Sequence, residues 1–490
     1  MEPADPRDAR IAELEAALAA SQVQLEAITT KLTRQLEMAL TRIGELETKV
    51  AQLSRNSTNS SKPPSSDPPS VARAPRAPSG KKRGGQPGHP GHQRKLLPIE
   101  QVDNVRPLHP DRCCHCGRSD CLTPTSAPPL RSQFVEIPPI KPMVTELQQH
   151  TSVCSNCGVT TLAALPQDVP RGAFGPRLAA MLAVCTAKYR LSKRAVRELL
   201  SDFLGVELCL GSVANVEQQV SKALADPVVE AREHIHQSTG VNADETSWRE
   251  DKKKAWLWVA ASSMVTVFVI ATSRGAKVAK ELLGETFSGV LTTDRWSGYN
   301  WVDVVRRQIC WAHLKRDFQS WVDGGGDGAR HGRRMLVEVR RMFRLWHRAR
   351  DGTLSREQLI KKMRPVQLNV ATLLTEASTC KSKRVRGMAK EMMKLEGAFW
   401  TFVDTPGIEP TNNFGERQIR HAVIWRKGCF GTDSAAGSRF VERMLTTMAT
   451  LRQQQRNVLE FIAAACSAEL TGGAKPSLIP GQSHVMLAAA

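Results

Sequence analysis

Between Ile11 and Leu53, apolar residues return every three or four positions with no proline, and Gly44 is the lone glycine. The first run is Ile11, Leu14, Leu18, Leu25, Ile28 and Leu32, with Ser21 in its one weak position. The pattern then skips four residues and resumes as Leu36, Ala39, Ile43, Leu46, Val50 and Leu53. This spacing predicts a coiled coil with a stutter that locally unwinds the supercoil. No core-forming sequence follows nearby, so the apolar seam is expected to bury against another copy of the chain. An amphipathic helix packed on its own domain is the alternative. From Arg55 to about Leu97 the periodicity vanishes into Ser, Pro, Gly and basic residues, a composition that cannot bury a core and predicts a flexible linker.

Helical patterning reappears over residues 174–224. Ser192 caps one helix running to Leu204-Gly205, and after a short turn Ser212 caps a second through Leu210–Val216, a helix-turn-helix outline. From Thr239 the period changes to two. Strands are expected at Gly240–Thr246, Ala255–Ala260, Val265–Ala271 and Val290–Asp294, with a helix at Ala276–Gly284 and a fifth strand in Val304–Ile309. Ala255–Ala271 is the one stretch that could pass for a membrane span. It is short against the ~20 residues a span needs and is broken by Ser262 and Ser263, so it reads as a hairpin and no membrane segment is expected. A mostly helical, basic stretch over 325–405 holds Arg333, Arg334, Arg340, Arg341 and Lys381 to Arg386. It exceeds what a connection within a compact domain needs, and is expected to be an insertion.

Charge narrows the partner. The 490-residue chain carries a formal +20 with a pI near 9.7, which favours a polyanion, most plausibly nucleic acid. Arg73, Arg76, Lys81, Lys82, Arg83, Arg94 and Lys95 stand in the linker without an intervening acid, and read as a basic arm on a phosphate backbone. Twelve cysteines with no regular framework or signal peptide fit a reducing cytoplasm. Four of them form two Cys-x-x-Cys-Gly knuckles, Cys113/Cys116 and Cys154/Cys157. That is the spacing of one structural Zn²⁺ site in a ribbon whose strands would be Phe134–Ile137 and Val144–Leu147. Cys114, His115 and Cys121 are possible substitutes, and free thiols the alternative.

Three acids suggest chemistry. Asp244 and Asp294 each end a strand-like run, and Glu416 lies one or two turns into a helix opened by Pro410-Thr411-Asn412-Asn413, whose last three residues can all cap free N–H groups. Together they can hold two Mg²⁺ (or Mn²⁺) ions, which suit an in-line displacement at phosphorus. Arg417, Arg420, Arg426 and Lys427 lie beside Glu416 in sequence and are candidate DNA contacts, or else a solvated helix face. Alternation points Glu245 to the face opposite Asp244. Asp303, Asp317 and Glu409 lack the flanking pattern. His313 reads equally as a core histidine or as a group beside the ligands touching phosphate.

Val241–Thr246, Thr293–Tyr299, Cys310–Arg316, Asn412–Arg417 and Arg426–Gly431 resemble successive blocks of a DDE transposase of the IS-sixty-six insertion-sequence family, as do Asn59–Asp67 and Gly84–His89. The resemblance runs from about Leu14 to Ala465. It implies a multidomain α/β protein whose RNase H-like catalytic domain sets the first and fourth strands side by side, with Asp244, Asp294 and Glu416 as its triad. The resulting expectation is a coiled coil (1–55), a basic linker (56–100), a zinc ribbon (101–165) and a helix-turn-helix-like domain (166–235). A catalytic domain with its helical insertion (236–470) and a disordered tail (471–490) would follow. Such a transposase would act in the bacterial cytoplasm at the nucleoid. It would cut double-stranded DNA at transposon ends and join the 3′-hydroxyls to target DNA, as a homo-oligomer and with small co-encoded proteins as further partners. A nuclease without strand transfer and a non-enzymatic DNA-binding regulator are the rival readings.

Overall fold

The structure is a computed structural model that describes residues 6–53, 55, 56, 59, 60, 94–170 and 172–481. Arg73, Arg76, Lys81, Lys82, Arg83 and the last nine residues of the expected tail lie outside the described residues. The chain divides into two units, one of residues 1–71, 148–198 and 208–490 and one of 72–147 and 199–207.

In the larger unit α1 (Pro6–Leu53) is one continuous helix whose seam residues face solvent within a single chain, Leu14 at 55% and Leu36 at 60% exposure. In the smaller unit Phe134–Ile137 and Val144–Leu147 are not strands. Pro138, Pro139 and Pro142 stand between them and supply no ladder donors, and Phe134 stays 91% exposed. The short antiparallel pair lies further on, in the larger unit: β1 (Thr151–Val153) and β2 (Thr160–Leu162), which flank the second knuckle.

Four helices follow: α2 (Pro176–Ala187), α3 (Lys193–Leu204), α4 (Leu210–Ala223) and α5 (Ala225–His236). Ser192 caps α3 as expected, accepting from the Ala195 N–H at 3.1 Å. Ser212 does not cap α4. The helix begins two residues earlier, so Ser212 is already inside it and donates its own N–H to Cys209 Sγ at 3.4 Å. Nor are these helices free-standing: α2 and α4 pack on C-terminal helices of the same unit, with Arg177 bridged to Glu460 (2.8 Å) and Lys222 to Glu469 (2.7 Å).

The sheet comprises β3 (Gly240–Glu250), β4 (Lys253–Ala261), β5 (Thr266–Ala271), β6 (Val290–Thr293) and β7 (Arg307–Ile309), in the order β5-β4-β3-β6-β7. β3 is antiparallel to β4 and parallel to β6, with α6 (Ala276–Leu283) in the crossover from β5 to β6. The β3–β4 hairpin turns through Asp251 and Lys252, both in the left-handed region (φ 49° and 60°), the geometry of a two-residue type I′ turn.

Beyond β7 come α7 (Trp311–Asp323), α8 (Gly326–Arg350), α9 (Arg356–Ala377), α10 (Lys383–Met393) and α11 (Thr401–Asp404). They close around one apolar core that includes Trp321, Met335, Met363, Leu374 and Phe402. The expected insertion is therefore a packed helical body. The chain returns to the sheet through α12 (Asn413–Cys429), α13 (Ala435–Gln453) and α14 (Val458–Thr471).

On the sheet's edge, α13 seals β5. Thr450 Oγ1 and Thr446 Oγ1 accept the Thr266 and Phe268 N–H groups, each at 3.0 Å, and a Glu442 carboxylate oxygen accepts that of Ile270. Four helical residues rise about 6 Å and two strand residues about 6.7 Å, so the two periods run in step and saturate an edge otherwise open to pairing. The expected disordered tail is ordered as far as residue 481. Leu478 is fully buried, Gln454 donates to its carbonyl (2.8 Å), and Lys475 bridges Asp226 (2.8 Å) and Glu469 (2.7 Å). That leucine, the charged anchor and hydrogen bonds from Arg456 to the Ser477 carbonyl and from the Leu478 N–H to Glu230 (both 3.1 Å) hold a segment that composition alone reads as a tail.

Candidate active site

The parallel pairing of β3 with β6 sets Asn242 opposite Thr292, so Asp244, two residues on within β3, and Asp294, just past the end of β6, come from neighbouring strands. Each carboxylate is oriented by the backbone that follows it: Asp244 Oδ1 accepts from the Glu245 N–H and Asp294 Oδ1 from the Trp296 N–H, both at 2.9 Å. Glu416 reaches the same place from the first turn of α12.

What holds that helix in position is not a cap. Asn412 stands at the N-cap, yet its side chain makes no capping bond. It is 1% exposed and reaches sideways to β3, where Nδ2 donates to the Ala243 carbonyl (2.8 Å) and Oδ1 accepts from Asn242 Nδ2 (2.9 Å). Its own N–H donates to Cys310 Sγ at 3.1 Å. At the far end of the helix Arg426 donates to Thr246 Oγ1 (3.1 Å) and Ser247 Oγ (2.7 Å), and the Thr432 N–H donates to the Arg249 carbonyl (2.9 Å). A 17-residue helix spans about 25 Å and Asn242 to Arg249 along β3 about 24 Å, so α12 is pinned to the strand at both ends.

The electrostatics are those of buried carboxylates that repel one another and are only partly offset by neighbouring arginines. Burial holds the Asp244 carboxyl well above its ordinary value, and the charges of Glu245, Asp294 and Glu416 push it further. Glu416 is raised by burial, opposed by Arg316 and Arg417 and reinforced by Asp294. Its Oε1 is buried and unpaired, as are His313 Nδ1, 3.6 Å away, and Arg316 Nε. An Arg316 guanidinium nitrogen lies 4.0 Å from Glu416. Burial, with Arg316, pushes His313 down to about 4, so it is neutral at pH 7. His313 is thus neither a remote core residue nor an exposed one; it abuts the third acid.

Crowded carboxylates whose charges oppose one another, one with an orphaned oxygen, fit oxygen-liganded divalent cations. Cys310, His313 and Glu416 also converge, with donor atoms within 4.8 Å of one another. The Cys310 sulfur already takes the Asn412 N–H, and burial pushes its thiol up to about 11, so it stays protonated and fits a hydrogen-bonding role.

The other acids have separate employment. The Glu245 side chain is 2% exposed, bridged to Arg274 (2.6 Å) and bonded by the Tyr299 hydroxyl (2.8 Å). Asp317 pairs with Arg295 at 2.6 Å, Asp303 accepts the Val305 N–H at 3.1 Å, and Glu409 is exposed. Three participants were not legible in these roles from sequence. Asn242 and Asn412 meet across 170 positions. Arg307, fully buried in β7, donates to Asn300 Oδ1 (2.8 Å) beneath Asp294, and burial pushes it down to about 10. Of the predicted cations, Arg417 lies over the Phe414 ring (5.8 Å), and Arg417, Arg420 and Lys427 are exposed.

The two cysteine knuckles share a local design. The Gly117 N–H donates to the Cys113 carbonyl (2.9 Å) and the Gly158 N–H to that of Cys154 (2.8 Å), both glycines at φ 71°. In the smaller unit Cys121 joins Cys113 and Cys116 in a cluster able to hold a metal ion, its sulfur 3.6 Å from that of Cys116. Backbone N–H groups of Cys116 and His115 bring the Cys113 thiol down to about 7, and the equivalent groups of Cys157 and Asn156 lower that of Cys154. No helix among the described residues is long and apolar enough to cross a membrane.

The sequence model described as Transposase IS66 family matches residues 171–439. A second, described as a family of unknown function (DUF6444), matches residues 1–95. No curated protein matches the chain.

Proposed function

The chain belongs to the IS66 family of transposases, and from that premise we propose that it cuts the phosphodiester at transposon ends and joins the released 3′-hydroxyls to target DNA. The observation that carries this reading is the convergence of Asp244, Asp294 and Glu416, from two neighbouring strands and one pinned helix, in mutual repulsion. The order β5-β4-β3-β6-β7, with one antiparallel and two parallel pairings about β3 and β6, supports an RNase H-like catalytic domain.

In this reading Asp244, Asp294 and Glu416 hold two Mg²⁺ (or Mn²⁺) ions. When bound, such a pair supplies activation of the attacking oxygen and stabilisation of the leaving one. The protein's own part is placement. Asn412 sets Glu416 against β3, Arg316 offsets the carboxylates' charge, and neutral His313 fills the space beside Glu416 without competing for it. In the first step water attacks phosphorus and the 3′-oxygen leaves as a hydroxyl. In the second that hydroxyl attacks a target phosphodiester and displaces its 3′-oxygen. Arg417, Arg420, Arg426 and Lys427, with Lys81, Lys82 and Arg83 of the linker, engage DNA phosphates. Zn²⁺ is held at the Cys113/Cys116 knuckle, completed by Cys154 and Cys157, with Cys121 as the alternative thiolate. The exposed seam of α1 pairs copies of the chain, which suits an enzyme that handles two DNA ends.

Incubation of full-length protein with end DNA, target plasmid and Mg²⁺ tests the reading, because joined, merely cut and intact DNA separate transposase, nuclease and regulator. Asp244→Ala, Asp294→Ala and Glu416→Ala should each abolish cutting while leaving end binding nearly intact. Near-normal cutting by any of the three would remove that residue from the ligand set.

A further inference from the structure

Beyond the acids, α12 leads to a second concavity. Its exposed face carries Arg417, Arg420, Ile424 and Lys427, spaced three and four apart in one stripe that starts beside Glu416. The stripe ends at a groove with a volume of about 880 Å³, cut between the β3–β4 hairpin and the end of α12. Arg249, Lys252, Lys254, Arg426, Lys427 and Phe430 contribute to its walls, and no acidic residue does. Asp251 at the hairpin tip is engaged by Lys253 at 3.0 Å.

Phe430 is the unusual member. It ends α12 in the left-handed conformation (φ 62°), where glycine carries no steric penalty and a bulky residue does. Phe430 is nonetheless 78% exposed, so burial does not repay the strain. The backbone there is rigid: the Thr432 N–H donates to the Arg249 carbonyl and the Asp251 N–H to the Thr432 carbonyl, each at 2.9 Å. At Gly431 (φ 127°) a Cβ would come 2.3 Å from the Arg249 carbonyl oxygen, which fixes the close approach to the strand. A fixed, solvent-facing aromatic ring among cations is the arrangement that stacks an unpaired base while the cations take phosphates.

We propose that this groove binds unpaired nucleotides of a DNA strand that leaves the acidic cluster along the α12 stripe, with one base stacked on Phe430. The fourteen-residue step from Glu416 to Phe430 rises about 21 Å, the axial rise of about six nucleotides in one strand of a duplex. The inference rests on the DNA-cutting reading for the strand's origin, but its binding claim can be read separately.

The test is fluorescence anisotropy with full-length protein in buffer free of divalent metal. One probe is a blunt duplex and the other the same duplex with a six-nucleotide unpaired 3′ extension. Phe430→Ala should weaken binding of the extended probe about tenfold and of the blunt probe less than twofold. Phe430→Gly, which suits the left-handed backbone, should show the same selective loss, and Phe430→Tyr should retain wild-type affinity. Arg249→Gln with Lys252→Gln and Lys254→Gln should lower the salt slope for the extended probe by about 2. Equal loss on both probes, or no loss on either, would overturn the groove assignment. Selective binding by a chain that leaves DNA uncut with Mg²⁺ would instead refute the cutting reading alone.

Discussion

Replacing Asn412 by Ala removes the strap between α12 and β3 without touching a carboxylate. Two side-chain hydrogen bonds disappear, those to the Ala243 carbonyl (2.8 Å) and from Asn242 Nδ2 (2.9 Å). Each is worth about 1 kcal/mol, and the buried Ala243 carbonyl left without its donor costs about 1–2 kcal/mol more, for a total of about 3–4 kcal/mol. The loss falls on the N-terminal turn of the helix, because the Arg426 and Thr432 contacts still hold the other end. Glu416, whose N–H bonds the Asn412 carbonyl at 3.0 Å, is then free to shift against Asp244 and Asp294. A misplacement of about 1 Å costs on the order of a hundredfold in rate. Cutting of end DNA should therefore fall about 10- to 100-fold, with half-maximal rate reached only at higher Mg²⁺, while affinity for DNA measured without metal stays within about twofold. Asn412→Asp, which keeps an acceptor for Asn242 but loses the donor to Ala243, should fall between. Wild-type cutting and an unchanged Mg²⁺ requirement in Asn412→Ala would refute the strap as the device that places Glu416.

Purified full-length protein should hold one Zn²⁺ per chain, and Cys113→Ser with Cys116→Ser should empty it; full zinc in that variant would exclude the knuckle. Zinc retained by Cys154→Ser with Cys157→Ser but lost on adding Cys121→Ser would assign the third thiolate to Cys121. Deleting residues 1–55 should lower the oligomeric mass seen by light scattering and impair joining of two ends more than binding of one. An unchanged mass would mean that α1 does not carry the association. Glu442 gives a pH prediction: burial raises it from 4.5 to about 7, against opposition from Arg439. The folded chain thus holds a proton that the unfolded chain releases, and the stabilisation, complete below pH 4.5, is lost as pH rises through 7. Glu442→Gln should melt like wild type near pH 4 and be more stable above pH 8 by up to about 3 kcal/mol. Parallel melting curves across that range would contradict the assignment.

The strands were legible where patterning was strong. Val265–Ala271 and Val290–Asp294 come within a residue of their observed limits, because short runs rich in β-branched residues between bounding Ser or Gly residues leave little choice. The distal half of β3 was not. Trp248 is the one apolar residue from Ser247 to Glu250, and the hairpin turns on Asp251-Lys252, without the Asn-Gly or Asp-Gly that usually announces a type I′ turn. Asp244, Asp294 and Glu416 could be singled out by local motif. Asn412 was legible only as a cap, because its partners lie on a strand that no local reading places beside it. Arg307 reads as a charged residue at the start of a strand, and only the packed structure shows it fully buried. Prolines explain the strands expected at 134–137 and 144–147: β-rich composition lost to missing donors.

The bond between Asn242 and Asn412 joins residues 170 positions apart. At about 5–20 residues per second of synthesis, roughly 10–30 s separate the emergence of the two. During that interval the half of β3 beyond its three-residue pairing with β6 has one unsatisfied flank, the flank on which Arg426 and Thr432 later settle. An open flank of that kind templates pairing with other chains. The charges at its end, Arg249, Glu250 and the Lys252–Lys254 run, serve as gatekeepers in the meantime. A nascent chain that ends before Glu416 has two of the three acids and no means of supplying the third, so under the proposed function cutting competence would arrive late in translation and all at once.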